Sequence, residues 1–296
     1  MRRKRPSSKN TVAFQGYLGA YSHLAALQAF PKMTPLPCPS FEETFAAVKK
    51  GLARLALIPI DNSLAGRVTD IHHLLPDSGV HIVGEHFERI ENQLLGTKDA
   101  KLSDIREVLS HAHALGQCRK FITRRKLRTI VHTDTAGAAA EVAERRDRRV
   151  AAIASKLAAK IYGLKILKRN IEDAGHNTTR FIIIAREPVN PDPSLSVVTS
   201  LVFRVRNIPA ALYKAIGGFA TNGVNFSKLE SYILNGKFAI AQFYAEIEGH
   251  PASRPVRLAF QELRFYTKEF RILGVFPASP YRKEEKRLAS VRKTAR

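Results

Sequence analysis

Arg186-Glu187-Pro188-Val189-Asn190-Pro191-Asp192-Pro193-Ser194 sets three prolines within six residues, among polar neighbours. Proline fixes φ and removes a backbone donor, so neither a helix nor a sheet interior runs through such a stretch. It reads as a linker, and 296 residues are enough for a separate core on each side of it.

On the N-terminal side, residues 11–186 alternate short apolar runs with helical patterns, which predicts an α/β layer structure. Thr11-Val12-Ala13-Phe14 reads as a strand that passes through Gly16-Tyr17-Leu18-Gly19 into a helix from about Ser22. Ser40 with Glu43 three residues on forms a capping box, and Phe41, Phe45, Val48 and Leu52 behind it give one apolar helix face. Leu55-Ala56-Leu57-Ile58 predicts a buried strand ending at Pro59, and Val80 to Val83 and Glu107 to Leu109 predict two more. Asp134 is placed to cap an Ala-rich helix through Glu144, and Ser155 to cap the next, which Gly163 closes. Phe181-Ile182-Ile183-Ile184 is a last core strand.

Beyond the linker the pattern starts afresh. Leu201 to Val205 reads as a strand, and Asn207 as the cap of a helix entered through Pro209, with Leu212, Ile216 and Phe219 on its apolar side. Val224 to Leu234 and Phe238 to Ile247 are strands on either side of an Asn235-Gly236 hairpin turn. Arg254 to Tyr266 is helical and Phe270 to Val275 a final strand. The order βαββαβ is the ferredoxin-like arrangement.

Composition narrows the class of function. A content of 45% hydrophobic and 25% charged residues fits a globular protein. No apolar run reaches the roughly 20 residues of a membrane helix, and Met1 to Pro6 lacks the apolar follow-on of a secretory signal. Two cysteines, Cys38 and Cys118, both in patterns that read as buried, make no disulfide framework, so the cytoplasm is the expected compartment. The net charge of +22 invites a nucleic-acid reading. Residues 1–10 and 282–296 each carry +5, as expected of solvated tails, and the body keeps +12 with no nucleic-acid motif. A basic body also suits a dianionic substrate, and nucleic acid is the minority reading.

Four segments offer chemistry. Gln15 to Ser22 is a glycine-bearing turn between strand and helix, of the kind that presents N–H groups to an anion, although ordinary βα turns look the same. Pro59-Ile60-Asp61-Asn62-Ser63-Leu64-Ala65-Gly66-Arg67 is polar directly after an apolar strand, where α/β sheets line their ligand crevices; alone, a cap by Asp61 or Ser63 explains it slightly better. Ser110-His111-Ala112-His113 through Gln117-Cys118 hints at metal, but no matching ligand set lies elsewhere, and Ser110 lacks a nucleophile-elbow context. Asn177-Thr178-Thr179-Arg180-Phe181 brings two hydroxyls and a cation into a core strand, and alone reads as an ST-turn.

Taken in order, these segments, with Cys38-Pro39-Ser40-Phe41 and Asp134-Thr135-Ala136, resemble the prephenate dehydratase family across nearly all of residues 12–277. The resemblance implies a two-lobed α/β catalytic domain similar to type 2 periplasmic binding proteins, followed by an ACT domain. It implies a basic tail at 1–10 and a catalytic domain at 11–187, with lobe A near 11–84 and 169–187 and lobe B near 85–168. A linker at 188–197, the ACT domain at 198–278 and a second basic tail at 279–296 would complete the chain. The implied reaction converts prephenate to phenylpyruvate, carbon dioxide and water, in L-phenylalanine biosynthesis. Because the product ring is aromatic, hydroxyls, amides and a cation suffice, with no metal or cofactor.

By position, Thr179 matches the family's essential threonine, polarising the leaving hydroxyl or relaying a proton to it. Asp61, Asn62, Ser63, Ser110, Gln117, Thr178, Arg180, Tyr21, Ser22 and Thr135 are the implied substrate-binding set. Many relatives have Glu at Asp61 and Pro-Gln at Ala112-His113. Effector binding is implied for Asn207, Pro209, Ala210, Ala211, Leu212, Asn225, Leu229, Glu230 and Ser231, with L-phenylalanine as the effector. Tyr232-Ile233 stands where many relatives have Arg-Pro, which puts phenylalanine feedback in question. A homodimer or homotetramer through the ACT domains is expected. Arogenate dehydratase, or a non-catalytic amino-acid sensor of the same fold, are the alternatives.

Overall fold

The computed structural model describes residues 8–234 and 237–294. Its first strand is the run expected to form one: β1 (Thr11–Gln15) has four consecutive buried residues, as a parallel strand covered on both faces requires. α1 (Tyr21–Ala29), β2 (Thr34–Cys38), α2 (Phe41–Lys49), β3 (Leu55–Asn62) and the short β4 (Gly66–Arg67) follow. Ser40 Oγ accepts from Glu43 N at 3.2 Å and starts α2, but the helix stops at Lys49 and Leu52 is 59% exposed, beyond the apolar face expected to include it. α3 (Thr69–Leu74) and β5 (His81–Arg89) lead on to β6 (Gln93–Gly96) and β7 (Glu107–Ser110). Next come α4 (Ala112–Gln117), α5 (Arg119–Arg125), β8 (Arg128–Val131), α6 (Thr135–Arg145), β9 (Val150–Ala154), α7 (Lys156–Tyr162) and β10 (Lys165–Lys168), before β11 (Thr178–Ala185). One sheet has the order β2-β1-β3-β11-β5 with β4 on β3, and a second has the order β10-β6-β9-β7-β8.

The second sheet shows why its strands read as unbroken apolar runs. Leu94, Val108, Ala151 and Ile153 face one core with Leu115 and Ile122; Leu95, Leu109, Ala152 and Ala154 face the other, with Ala138 and Ala139 of α6. Alternate residues serve opposite faces, so all five residues of β9 and the central pairs of β6 and β7 are apolar. Asp134 caps α6 through the N–H groups of Ala136 and Gly137, Ser155 caps α7, and Gly163 closes it in the left-handed conformation at φ 67°.

By Cα proximity the chain forms two compact units: residues up to Val68 with His86–Phe181, and Thr69–Glu85 with residues from Ile182 onward. In the second unit, β12 (Val197–Val205), α8 (Ala211–Thr221), β13 (Phe226–Leu234), β14 (Lys237–Glu248), α9 (Arg254–Tyr266) and β15 (Thr267–Pro277) build an antiparallel sheet of order β13-β14-β12-β15. This is the ferredoxin-like topology. Leu201, Phe203, Phe243 and Ile247 pack against Phe219 of α8 and Phe260 of α9, each large side chain stabilising by about 1.5–3 kcal/mol. Asn207 is not the cap of α8: Ala210 holds that position at φ 57°, with no side-chain cap. The Asn235-Gly236 turn lies outside the described residues.

The C-terminal residues expected to form a solvated tail instead form α10 (Pro280–Thr294). Arg282 explains why. Its guanidinium donates to Glu85 at 2.7 and 2.9 Å and to Glu246 at 3.0 Å, and both carboxylate side chains are fully buried. Tyr244 Oη donates to Glu246 as well, at 2.5 Å. β15 lies close to the start of β5, since a Cβ on Gly274 would collide with the Ile82 carbonyl oxygen. No helix among the described residues is long and apolar enough to cross a membrane.

Leaving two buried carboxylates without their cation is costly. Arg282→Met is expected to lower the unfolding free energy by about 3 kcal/mol in denaturant titration. Adding Glu85→Gln and Glu246→Gln should recover most of that loss; no recovery would show that Arg282 acts through packing alone.

Candidate active site

The carboxyl end of β3 and the amino end of β11 are stapled by Ser63. Its N–H donates to the Thr178 carbonyl at 2.9 Å, its hydroxyl donates to the His176 carbonyl at 2.9 Å, and the same oxygen accepts from Thr178 N at 3.0 Å. Next to the staple, Asn62 Oδ1 accepts from the N–H groups of Leu64 and Ala65 at 3.0 and 2.8 Å, a turn that fixes which way the amide points. Both protons of Nδ2 then face outward, one to Asn177 Oδ1 at 2.8 Å and one to Thr179 Oγ1 at 2.9 Å. Asn177, 1% exposed, passes the chain of bonds on from Nδ2 to Gln117 Oε1 at 2.8 Å. Gln117 ends α4, which follows β7, so this relay joins the first sheet to a helix of the second sheet's layer. The half-buried Thr179 hydroxyl accepts from Asn62, and its own proton is left to point elsewhere. The Gln117 amide N–H groups have no partner among the described residues.

Strand alternation sorts the rest. Asn177, the residue before β11, and Thr179 point to one side, and Arg180 projects from the other. There Arg180 is 7% exposed, sits 3.6 Å from Asp61 Oδ2 and lies over the Phe87 ring at 5.9 Å. Asp61 and Asn62 alternate in the same way, one toward the buried cation and the other toward Thr179. The expected substrate-binding roles of Arg180 and Asp61 are not what this geometry supports, because their charges meet each other on the opposite face.

Three further expectations change. Ser110 is fully buried and donates to the Ile153 carbonyl at 2.6 Å, so its hydroxyl holds β7 to β9. Ser63 is spent on the staple. The Tyr21 hydroxyl bonds to the Glu91 carbonyl and to Asn92 Oδ1, at 3.0 and 2.8 Å; burial and the nearby Cys118, Glu172, Glu91 and Glu88 push its pKa well up. Thr178 holds the staple through its backbone. Ser22 and Thr135 stand in the first turns of α1 and α6. Asn177 is the member of the relay absent from the expected binding set. Its signal was available, since residues two apart on a strand share a face.

The glycine turn also differs from its anion-cradle reading. The Gly19 N–H donates to His23 Nδ1 at 3.0 Å, while Ser155 and Tyr162 of the second lobe donate to the Gly19 and Leu18 carbonyls at 2.6 and 2.8 Å. At φ 96°, with Ala158 Cα 3.0 Å from any added Cβ, Gly19 lets the two backbones meet. The thiols of Cys38 and Cys118 are buried, and burial raises the pKa of each. Among the described residues no group of three or more His, Cys, Asp or Glu is arranged to hold a metal ion.

In the second unit, Asn207, Pro209 and Ala210 are exposed ahead of α8, with Ala211 buried and Leu212 half-buried. Asn225, Leu229 and Ser231 are exposed along β13, and Glu230 pairs with Lys228 at 3.6 Å. Tyr232 is 6% exposed, accepts from Gln242 Nε2 at 2.7 Å, and packs on the rings of His72 and His73.

A two-lobed α/β domain with an amide-threonine relay, joined to a ferredoxin-like domain, defines a catalytic domain with an ACT module. The family model described as prephenate dehydratase matches residues 12–189, and the chain belongs to the prephenate dehydratase family. A Komagataeibacter europaeus protein named bifunctional N-acyl-homoserine lactone acylase/prephenate dehydratase is 51% identical over 279 residues, covering 94% of this chain and 99% of the relative. The Arabidopsis thaliana arogenate dehydratase/prephenate dehydratase 2 is 37% identical, covering 91% of this chain and 73% of the relative. The crystal structure of Arthrobacter aurescens prephenate dehydratase in complex with L-Phe superposes with a TM-score of 0.83 at 26% identity, covering 96% and 99% of the two chains.

Burial lowers the pKa of His23, and burial with the nearby His113 lowers that of His111. Below a pH of about 6.5 the unfolded chain therefore binds more protons at these sites than the folded one. Stability is expected to be full above that pH and to fall as the pH drops toward the lowered values. The fall should be shallower in His23→Gln, measured by denaturant midpoint against pH; an unchanged slope would remove His23 from the account. Gly19→Ala is expected to destabilise by roughly 1–3 kcal/mol in the same assay.

Proposed function

We propose that the chain is a prephenate dehydratase, and the observation that carries this is the Asn62–Thr179 hydrogen bond at 2.9 Å, held in a relay that reaches Gln117. In the reaction the bond between the ring and its carboxylate breaks and releases carbon dioxide. The electron pair enters the ring as the opposite C–O bond breaks, and the hydroxyl leaves with a proton as water. A threonine hydroxyl is a poor acid. Asn62 donating to Thr179 Oγ1 polarises that hydroxyl and stabilises charge on its oxygen as it donates to the departing group. The Gln117 amide supplies donors for a substrate carboxylate. In this reading residues 11–187 carry catalysis and residues 198–278 regulation.

Two relatives frame the remaining choices. The Arabidopsis protein's name includes arogenate, the same ring with an amino-acid side chain, so substrate choice is decided by parallel assays. Faster turnover of arogenate than of prephenate would overturn the prephenate assignment. The Komagataeibacter protein's name adds acylase activity, and at 51% identity it favours a second reading. An acylase of the nucleophilic type needs an activated nucleophile. The buried Cys38 and Cys118 thiols do not offer one, and Thr179 is held by an amide, not a base. Release of homoserine lactone from an N-acyl substrate, measured beside the dehydratase assay, tests that reading directly.

The Arthrobacter structure's L-Phe supports L-phenylalanine as the effector of the ACT domain here. The exposed Leu229 and Ile233 on β13, 38% and 41% accessible, support pairing of two copies through that edge. A monomer in sizing at working concentration would contradict this pairing. In catalysis, Thr179→Val should lower kcat by about 10²–10⁴ with the fold intact, while Thr179→Ser retains most of it. Near-normal turnover in the valine variant would remove Thr179 from the mechanism.

A further inference from the structure

Residues 98–170 carry eighteen Lys and Arg against seven Asp and Glu, a net +11 that is half of the whole chain's charge. Three of these cations are paired. Arg128 pairs with Glu107, Arg145 with Glu141 and Arg149 with Asp147. Those along α5 are not: Arg119, Lys120, Arg124 and Arg125, with Lys168 of β10, have no ion-pair partner among the described residues and are all exposed.

These cations rim two adjoining cavities of about 520 and 500 Å³ that share Lys120, Arg124 and Asp173. The two ends differ in chemistry. One is floored by Leu102, Phe121 and Ile171, with Arg125 and Lys168 at its edge. The other is an open shelf lined by Arg119, Lys120, Thr123, Arg124 and Asp173, where the long side chains lay their aliphatic stems along the surface and carry their charges toward its edge. The two carboxylates in the groove are already engaged: both oxygens of Asp173 accept from the Lys120 N–H at 3.1 Å, and Glu172 Oε2 accepts from Asn92 N at 2.9 Å. Five cations against two acids leave a local excess of positive charge beside an aromatic wall.

We propose that this groove binds a small organic polyanion, a ring-bearing body with two or more phosphate charges such as a nucleoside diphosphate. The ring rests on Phe121 and Ile171, and the phosphates are held by Arg119, Lys120, Arg124 and the Thr123 hydroxyl. The cavity volume suits a metabolite-sized ligand, and guanidinium forks match phosphate oxygens in pairs. The groove is separate from the catalytic relay but is fastened to it, because the Asp173 N–H donates to the Gln117 carbonyl at 2.7 Å.

The test is calorimetric titration of the full chain at low ionic strength with ADP, inorganic phosphate and adenosine. ADP should bind saturably and more tightly than either fragment. The doubly substituted Lys120→Glu/Arg124→Glu protein should bind it at least about tenfold more weakly, while Lys156→Glu/Lys160→Glu on α7, with the same change in net charge, stays within about twofold of the parent. Absence of ADP binding would overturn the proposal. So would equal losses in the two variants, which reduce the effect to the general field, or inorganic phosphate or adenosine binding as tightly as ADP, which removes the need for a two-part site.

Discussion

The amide of Asn62 can accept on one side and donate on the other, and every one of those capacities is used. Its oxygen takes two backbone N–H groups from the turn behind it, which forces both protons forward onto Asn177 and Thr179. Replacing the amide by a carboxylate would reverse the polarity of the forward bonds, and a shorter side chain would not reach. The Thr179 hydroxyl is thus oriented by a turn four residues long, supported from below by the Ser63 staple and from the side by Gln117. Catalytic hydroxyls on loops need such support, since a displacement of about an ångström can cost a hundredfold in rate.

The alternation of strand faces does the other half of the work. Two adjacent pairs, Asp61-Asn62 and Thr179-Arg180, split so that charge goes to one side of the sheet and neutral polarity to the other. The pair of the buried Arg180 with Asp61 keeps a full charge off the face that carries Asn62 and Thr179 while tying β3 to β11. The Thr179 side of the sheet thus offers dipoles and no full charge, and any long-range attraction for an anion is left to the basic body as a whole.

Much of this was legible in the residues. Apolar runs, caps at Ser40, Asp134 and Ser155, and the αL closure at Gly163 located the helices and strands, because those signals act within a few residues. The place of Thr179 was legible through resemblance, not through its local pattern, which reads as a turn. What local sequence does not encode is partnership at a distance. Ser110, Tyr21 and Arg180 are polar residues in suggestive segments, and only the fold shows their groups spent on a carbonyl or a carboxylate far along the chain. Asn207 looked like a cap, yet tertiary packing placed Ala210 there in a left-handed conformation. The C-terminal helix escaped for the same reason: its charge suggested solvation, and its decisive contact lies 197 residues away.

That contact has a consequence for how the chain is made. Glu85 and Glu246 are synthesised long before Arg282, the residue that neutralises both. Until Arg282 is made, the second unit holds two acids that are costly to dehydrate. Domains generally fold in order of synthesis, and the partner of these two acids is made after both of them. Arg282 is the late-made residue that lets both acids be buried.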